Sequence, residues 1–191
     1  QLMWYNADMM EAAGIDVSDP TQAWTYGEDG TALVNWQKLT KDENGDGSPE
    51  VFGLANSGPW DYFQRIPSRT NGVPGDATYE GISSDGITYS GYFNSPKAVE
   101  AYQFQQDMVT EYKVLSAEQT ANPMLSGLAA TQIYQDMIMG TQKDQFPDFN
   151  MGAIYPPYFV TPMCHTGSWH YGIASNSQHF EEALAFVKFA S

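Results

Sequence analysis

The chain has 191 residues, with 8 Lys and Arg against 23 Asp and Glu and a formal net charge of -15; this excludes no fold but argues against nucleic acid and anionic membrane as partners, both of which select basic surfaces. The length suits one well-buried domain, or a domain with part of another, since domains commonly run to about 100–200 residues. The single cysteine, Cys164, excludes an internal disulfide, and no apolar run approaches the ~20 residues that span a bilayer.

Residues 2–5 are apolar and lead into Asn6, a good helix N-cap, with Asp8 in the first turn where the helix dipole favours negative charge. Met9, Met10 and Ala13 follow, and Gly14 stops the helix with Ile15 placed for the hydrophobic contact of a C-terminal cap. The pattern is strand, then short helix. Residues 18–30 are rich in turn formers and read as a loop, and residues 33–39 read as a helical turn or two. Residues 41–63, KDENGDGSPEVFGLANSGPWDYF, then combine an acidic turn, an apolar run over 51–55 that reads as a buried strand, and a Gly58-Pro59-Trp60 corner. This order sets an aromatic ring at the end of a sheet strand, and in open α/β sheets ligands sit in the crevice beyond the strand ends. The residues alone leave two readings for Trp60: a ligand cleft or a core.

Residues 64–93 carry many Gly, Ser, Thr, Asn and Asp, with short alternating pieces such as Ile87-Thr88-Tyr89 that read as small strands. Ser95-Pro96 announces a helix, Ser as cap and Pro at the first helical position. Ala98, Ala101, Tyr102, Met108, Val109 and Tyr112 recur at three and four, as one buried face of a helix over 96–113 requires. Further on, Tyr134-Gln135-Asp136 lies between apolar residues, with a loop from Met139 to Phe149. Residues 151–155 read as a buried strand ended by Pro156-Pro157, and residues 169–174 as a last strand. That strand runs into Asn176-Ser177, either of which can cap a helix whose apolar side is Phe180, Leu184 and Val187. Strands alternating with helices, without internal repeats, predict a mixed α/β sheet layered with helices.

The succession WYNADMMEAAGID, KLTKDENGDGSPEVFGL, NSPKAVEAYQFQQDMV, FNMGAIYPP and GIASNSQHFEEALAFVKFAS resembles the extracellular solute-binding proteins of ABC sugar importers, the maltose-binding-protein-like family. No single piece is specific; five in the family's order across nearly the whole chain are. The resemblance implies a periplasmic-binding-protein-like lobe of type II, α/β, incomplete here. Residues 1–158 correspond to most of the second lobe, and residues 159–191 to a strand and helix returning to the first. It also implies a non-enzymatic receptor, extracellular or periplasmic, either soluble or a cell-surface lipoprotein, with no signal segment in this chain. Such a receptor closes two lobes on a sugar or oligosaccharide and delivers it to ABC permease membrane subunits. The abrupt start at Gln1 and the stop at Ser191 inside a helical pattern fit a fragment, soluble as given.

The same resemblance locates contacts. Trp60 occupies the place where the family presents an aromatic ring to the sugar, and an indole stacks well on the apolar face of a pyranose while Asp61 takes hydroxyls. Trp169 and His170 fall in the glycine-rich entry to the returning strand, whose side chains line the cleft from the other lobe. Tyr134, Gln135 and Asp136 resemble the place of a Gly-x-Trp facing the ligand, with Met137 standing where that Trp would be.

No cofactor is required, and a structural calcium ion is one reading of the acidic turn. Asp42, Asn44, Asp46, Ser48 and Glu50 space oxygen ligands two apart around Gly47, as an EF-hand-like loop does. Gly53 holds the twelfth position where such a loop has a bidentate Glu, so the other reading is a solvated acidic turn. Catalytic patterns are weaker: the sequence has no phosphate-binding glycine loop, no H-E-x-x-H, no G-x-S-x-G and no Cys pair at zinc spacing. Cys164-His165 adjacency does not make a nucleophile pair, and His165, His170 and His179 are scattered. The alternative to a receptor is a secreted carbohydrate-active enzyme domain of the glycoside hydrolase type, using two of the carboxylates.

Overall fold

The computed structural model describes residues 1–58, 81–162 and 171–190. In chain order the elements are β1 (Leu2–Asn6), α1 (Ala7–Ala12), α2 (Thr31–Leu39), β2 (Phe52–Leu54), α3 (Pro96–Thr110), β3 (Ala129–Tyr134), α4 (Ile138–Gln145), β4 (Met151–Ile154) and α5 (Phe180–Ala190). The four strands form one sheet in the order β2-β3-β1-β4. β2 pairs parallel with β3, whereas β1 runs antiparallel to both β3 and β4. β2, β3 and β4 therefore end at the same edge of the sheet, and this edge is where the chain leaves room for a site.

Local chemistry sets the element ends. The Asn6 side chain accepts from the Met9 amide at 3.1 Å and starts α1. After α1 the amides of Gly14 and Ile15 donate back to Glu11 and Met10, so the expected C-terminal cap forms. Ser95 Oγ accepts from the Ala98 amide at 3.3 Å with Pro96 at the first helical position of α3. α3 ends at Thr110, three residues before the expected Lys113, whose backbone is left-handed (φ 52°). Its buried face holds Ala98, Ala101 and Met108 as expected, and also Phe104 and Gln105.

The sheet has two differently packed faces. Met3, Tyr5, Leu54, Ile133 and Ile154 pack with Trp36 and Leu33 of α2 and with Phe104 and Met108 of α3. Trp4, Met124, Leu125 and Ile138 form a smaller cluster on the other side, joined by Leu2, Tyr134 and Met151. Alternation of side chains along a strand produces this division. Gly53 is the closest point between α2 and the sheet: a Cβ there would run into the backbone and Cβ of Trp36. A buried relay locks the contact, Trp36 Nε1 donating to Thr131 Oγ1 (2.9 Å) and Thr131 Oγ1 donating to the Gly53 carbonyl (2.7 Å).

Four further expectations differ. Residues 138–145 are helical where a loop was expected; the only residue α4 buries is Ile138, so no apolar stripe announces it. Ile87-Thr88-Tyr89 is no strand: the Ser83 amide and the Thr88 carbonyl close a turn at 2.9 Å around Asp85, and Ile87 and Tyr89 are exposed. The Asp85 carboxylate accepts from Ser83 Oγ and the Ile87 amide, which holds its pKa below the usual value. Of the last expected strand, the described part, residues 171–174, is coil. A strand persists only where its backbone groups find partners, and none of the four paired strands neighbours this segment. α5 then starts at Phe180, later than a cap at Asn176 or Ser177 would set it, with the Ala183 amide donating to the His179 carbonyl.

Candidate functional site at the strand ends

Beyond the carboxyl ends of β2 and β3 lies a crevice of about 340 Å³. One wall is Asn56 and Ser57, just past β2; another is the loop 119–123; the floor and far wall come from Gln132, Tyr134, Met137 and Ile138. Asn56 ties two walls together, donating through Nδ2 to the Ser116 and Ala117 carbonyls (3.1 and 3.2 Å) and accepting from the Gly58 amide (3.0 Å). Gly58 has φ +81°, and a Cβ there would collide with the Gln119 amide; only glycine turns the chain here while the loop closes over it. Trp4 Nε1 donates to the Tyr134 carbonyl (3.1 Å) and fixes the end of β3.

Two of the residues that line this crevice carry a buried polar atom without a hydrogen-bond partner: Ser57 Oγ and Gln132 Oε1. The residues are 8% and 5% exposed. Buried polar groups are nearly always paired, so two such residues along one crevice single it out as a candidate site. Among the described residues that line it, none carries a charge. A larger groove of about 780 Å³ lies between the loop 25–30 and α3, over the packed rings of Tyr26, Phe104 and Phe159 and beside Glu28, Asp29 and Asp107. Size favours that groove, but it lies away from the strand ends, and the smaller crevice combines the position at the sheet edge with the unpaired buried atoms.

The sequence-predicted residues distribute unevenly. Tyr134 lines the crevice, and Met137, 58% exposed, stands at its mouth before α4. Gln135 and Asp136 form the turn into α4, their carbonyls accepting from the Ile138 and Met139 amides. Trp60, Asp61, Trp169 and His170 lie outside the described residues. Ser57 and Gln132 escaped the sequence reading, although a glutamine two residues before Tyr134 in the otherwise small and apolar run of β3 was the available signal, since period two puts both on one face.

The acidic turn is compact and self-satisfied. Asp42 accepts from the Gly45 and Gly47 amides (2.7 and 2.8 Å), Asn44 from Asp46 (2.8 Å) and Asp46 from Ser48 (2.8 Å). The two Glu50 oxygens take the Glu43 amide and the Asn44 side-chain amide, and Lys113 Nζ donates to the Gly47 carbonyl (2.6 Å). Among the described residues no three His, Cys, Asp or Glu groups gather as a metal site needs. At the twelfth position, Gly53 is held side-chain-free by Trp36, so a bidentate Glu cannot stand there.

With this geometry in view, the profile of the bacterial extracellular solute-binding protein family matches residues 1–191. The chain belongs to that family. Among solved structures it is similar to an ABC substrate-binding protein from Listeria monocytogenes in complex with cycloalternan, at 20% identity and a TM-score of 0.71, covering 100% of this chain and 45% of that one. A solute-binding protein from Thermotoga lettingae bound with α-D-tagatose gives 22% and 0.76, covering 98% and 46%. The maltose/maltodextrin-binding domain from Bdellovibrio bacteriovorus bound to maltotriose gives 19% and 0.64, covering 98% and 46%. At these identities the likeness establishes the fold, a type II periplasmic-binding-protein-like lobe, and the chain spans less than half the length of each of the three. A search among curated protein sequences gives no significant match. The family and its structural neighbours are substrate-binding proteins, not enzymes, which sets aside the glycoside hydrolase alternative.

Proposed function

We propose that this solute-binding chain forms most of the second lobe (residues 1–158) and a returning segment (residues 159–191) of a sugar or oligosaccharide receptor for an ABC importer. The single observation that carries this is the polar crevice at the common edge of β2 and β3, with two buried oxygens that meet no protein donor. Saccharides offer what such a crevice lacks, hydroxyls that donate and accept at close spacing, and the three neighbours named above hold saccharides. Tyr134 lines the crevice, and in this reading Gln135 and Asp136, in the turn that follows it, join it as ligand contacts. By the family resemblance, Trp60 is the residue for stacking on the sugar and Asp61 the one for accepting a hydroxyl. Trp169 and His170 contribute from the returning segment.

Closure of the first lobe over this edge, favoured by a ligand that touches both, is the mechanism, since only differential affinity shifts such an equilibrium. The exposed apolar face of α5, with Phe186 and Phe189, fits a segment that packs against that lobe. The closed receptor then engages the permease membrane subunits, outside the cytoplasm in the extracellular or periplasmic space. Asp42, Asn44, Asp46, Ser48 and Glu50 act in this account as a self-supported turn, since the Asp42, Asn44, Asp46 and Glu50 oxygens already take backbone and side-chain donors and the Ser48 amide donates to Asp46; calcium is the second reading of the loop.

Trp60→Ala in the full-length chain tests the site. A stacking residue that loses its ring weakens saccharide affinity by roughly 1–3 kcal/mol while the fold holds. A core tryptophan instead costs the fold about 3–5 kcal/mol and leaves the affinity of the folded protein nearly intact. Calorimetric titration with maltotriose, stachyose, mannobiose and D-tagatose, beside a melting curve, separates the two.

A further inference from the structure

The chain holds nine methionines, and burial sorts those among the described residues. Met3, Met10, Met108 and Met124 are at most 1% exposed, and Met9 and Met151 pack against the two larger clusters. Met137 and Met139 are 58% and 54% exposed and belong to no cluster. Oxidation of a thioether needs the oxidant to reach the sulfur, so these two are the open positions. They do not share a surface. Met137 lines the crevice at the strand ends with Tyr134, Ile138 and Thr141, whereas Met139 lines a separate groove between α4 and β4 with Trp4 and Phe149. Met137 is also the residue before α4, its carbonyl accepting from the Thr141 amide (3.4 Å), so the helix is entered through its backbone and asks nothing of its side chain. An oxygen added at Met124 would enter a buried cluster and cost the fold, whereas one added at Met137 meets water in the ligand-free chain. The cost at Met137 arises when a ligand fills the crevice and removes that water. A sulfoxide dipole is then desolvated where an apolar, adaptable side chain stood.

We propose that Met137 is a modification site through which two-electron oxidants of the peroxide class lower the ligand affinity of the crevice without unfolding the lobe. The proposal rests on the reading of that crevice as the saccharide site. With hydrogen peroxide, the sulfur lone pair takes one peroxide oxygen, and the O–O bond breaks as the S–O bond forms. The sulfur loses two electrons, and the second oxygen leaves with both peroxide protons as water. Methionine sulfoxide reductases reverse the change, so the effect on the site is reversible. Met139 oxidises alongside Met137 but, in its separate groove, leaves the affinity as it was.

The test treats the full-length chain with graded hydrogen peroxide and reads each methionine, and Cys164, by peptide mass spectrometry. Affinity is measured by titration calorimetry with whichever of maltotriose, stachyose, mannobiose and D-tagatose binds the untreated protein. Met137 and Met139 are expected to gain oxygen while Met3, Met10, Met108 and Met124 stay reduced and the ligand-free melting temperature holds. Affinity falls roughly two- to tenfold in step with the Met137 sulfoxide, the range of a lost thioether contact, and reductase treatment restores it. Bound saccharide slows oxidation of Met137 and not of Met139. Met137→Leu, whatever its own affinity, loses the response to peroxide, and Met139→Leu keeps it. Should Met137→Leu fold poorly, the reductase reversal and the ligand protection of the parent chain decide. Unchanged or tighter binding with Met137 oxidised overturns the proposal and leaves the receptor reading in place. So does a response that survives in Met137→Leu, which would put it at Cys164 or another residue. Binding of none of the four sugars by the untreated protein contradicts the saccharide reading itself, and the proposal falls with it.

Discussion

Thr131 is the residue through which sheet, helix and glycine are fastened together. One hydroxyl takes the Trp36 indole proton and gives its own to the Gly53 carbonyl, all of it buried. Valine has nearly the same shape and neither capacity, so Thr131→Val leaves a buried donor and a buried acceptor unpaired. The expected cost is about 1–3 kcal/mol in a denaturant melt, and a variant as stable as the parent would show that the relay contributes nothing. Gly53 sits at the same junction for a different reason, space rather than bonding, and that is why the loop before it departs from an EF-hand spacing. None of this was legible in sequence: a lone Thr and a lone Gly look the same whether they meet a tryptophan or solvent. Ser57 was illegible likewise, and Gln132 showed only as a polar residue on the Tyr134 face of β3, because an unpaired atom is defined by what fails to approach it.

Among the elements, those with caps at their ends were legible. Asn6, Gly14, Ser95 and Pro96 each act locally, through a side chain or a fixed φ, and α1 and α3 begin where these residues set them. β4 was readable from its apolar run and the prolines that stop it. α4 was not, since its turns rest on backbone bonds with one buried side chain, and the strand expected near residue 171 depends on a partner that local sequence does not carry. The acidic turn between α2 and β2 is where spacing suggested an ion and geometry supplies another partner for the Asp42, Asn44, Asp46 and Glu50 oxygens. Its Lys113 contact, from the chain just beyond α3, adds a positive charge to the loop. Melting curves at equal ionic strength, in calcium chloride and in sodium chloride, are therefore expected to coincide apart from general screening of the acidic surface. A melting temperature raised by calcium alone would contradict the self-supported turn and put Asp42, Asn44, Asp46, Ser48 and Glu50 around an ion.

At the scale of the whole molecule, strand direction decides where the site can be. β2, β3 and β4 end at one edge, and chain leaving an edge of that kind diverges into loops that leave a crevice, here walled by residues 56–57, the loop 119–123 and residues from 132 to 141. The mixed sheet with helices followed from the alternation of patterns along the chain, whereas the strand order, with β1 placed between β3 and β4, came only with the pairing. The acidic surface and the larger groove beside α3 play no part in ligand binding in this account. The most direct measurement is hydrogen exchange of the full-length chain with and without the saccharide that most raises its melting temperature. Slowed exchange over residues 55–58, 119–123 and 132–141, with residues 25–30 and 99–107 unchanged, is the predicted result. Protection confined to 25–30 and 99–107 would contradict the account and move the ligand to the groove beside α3.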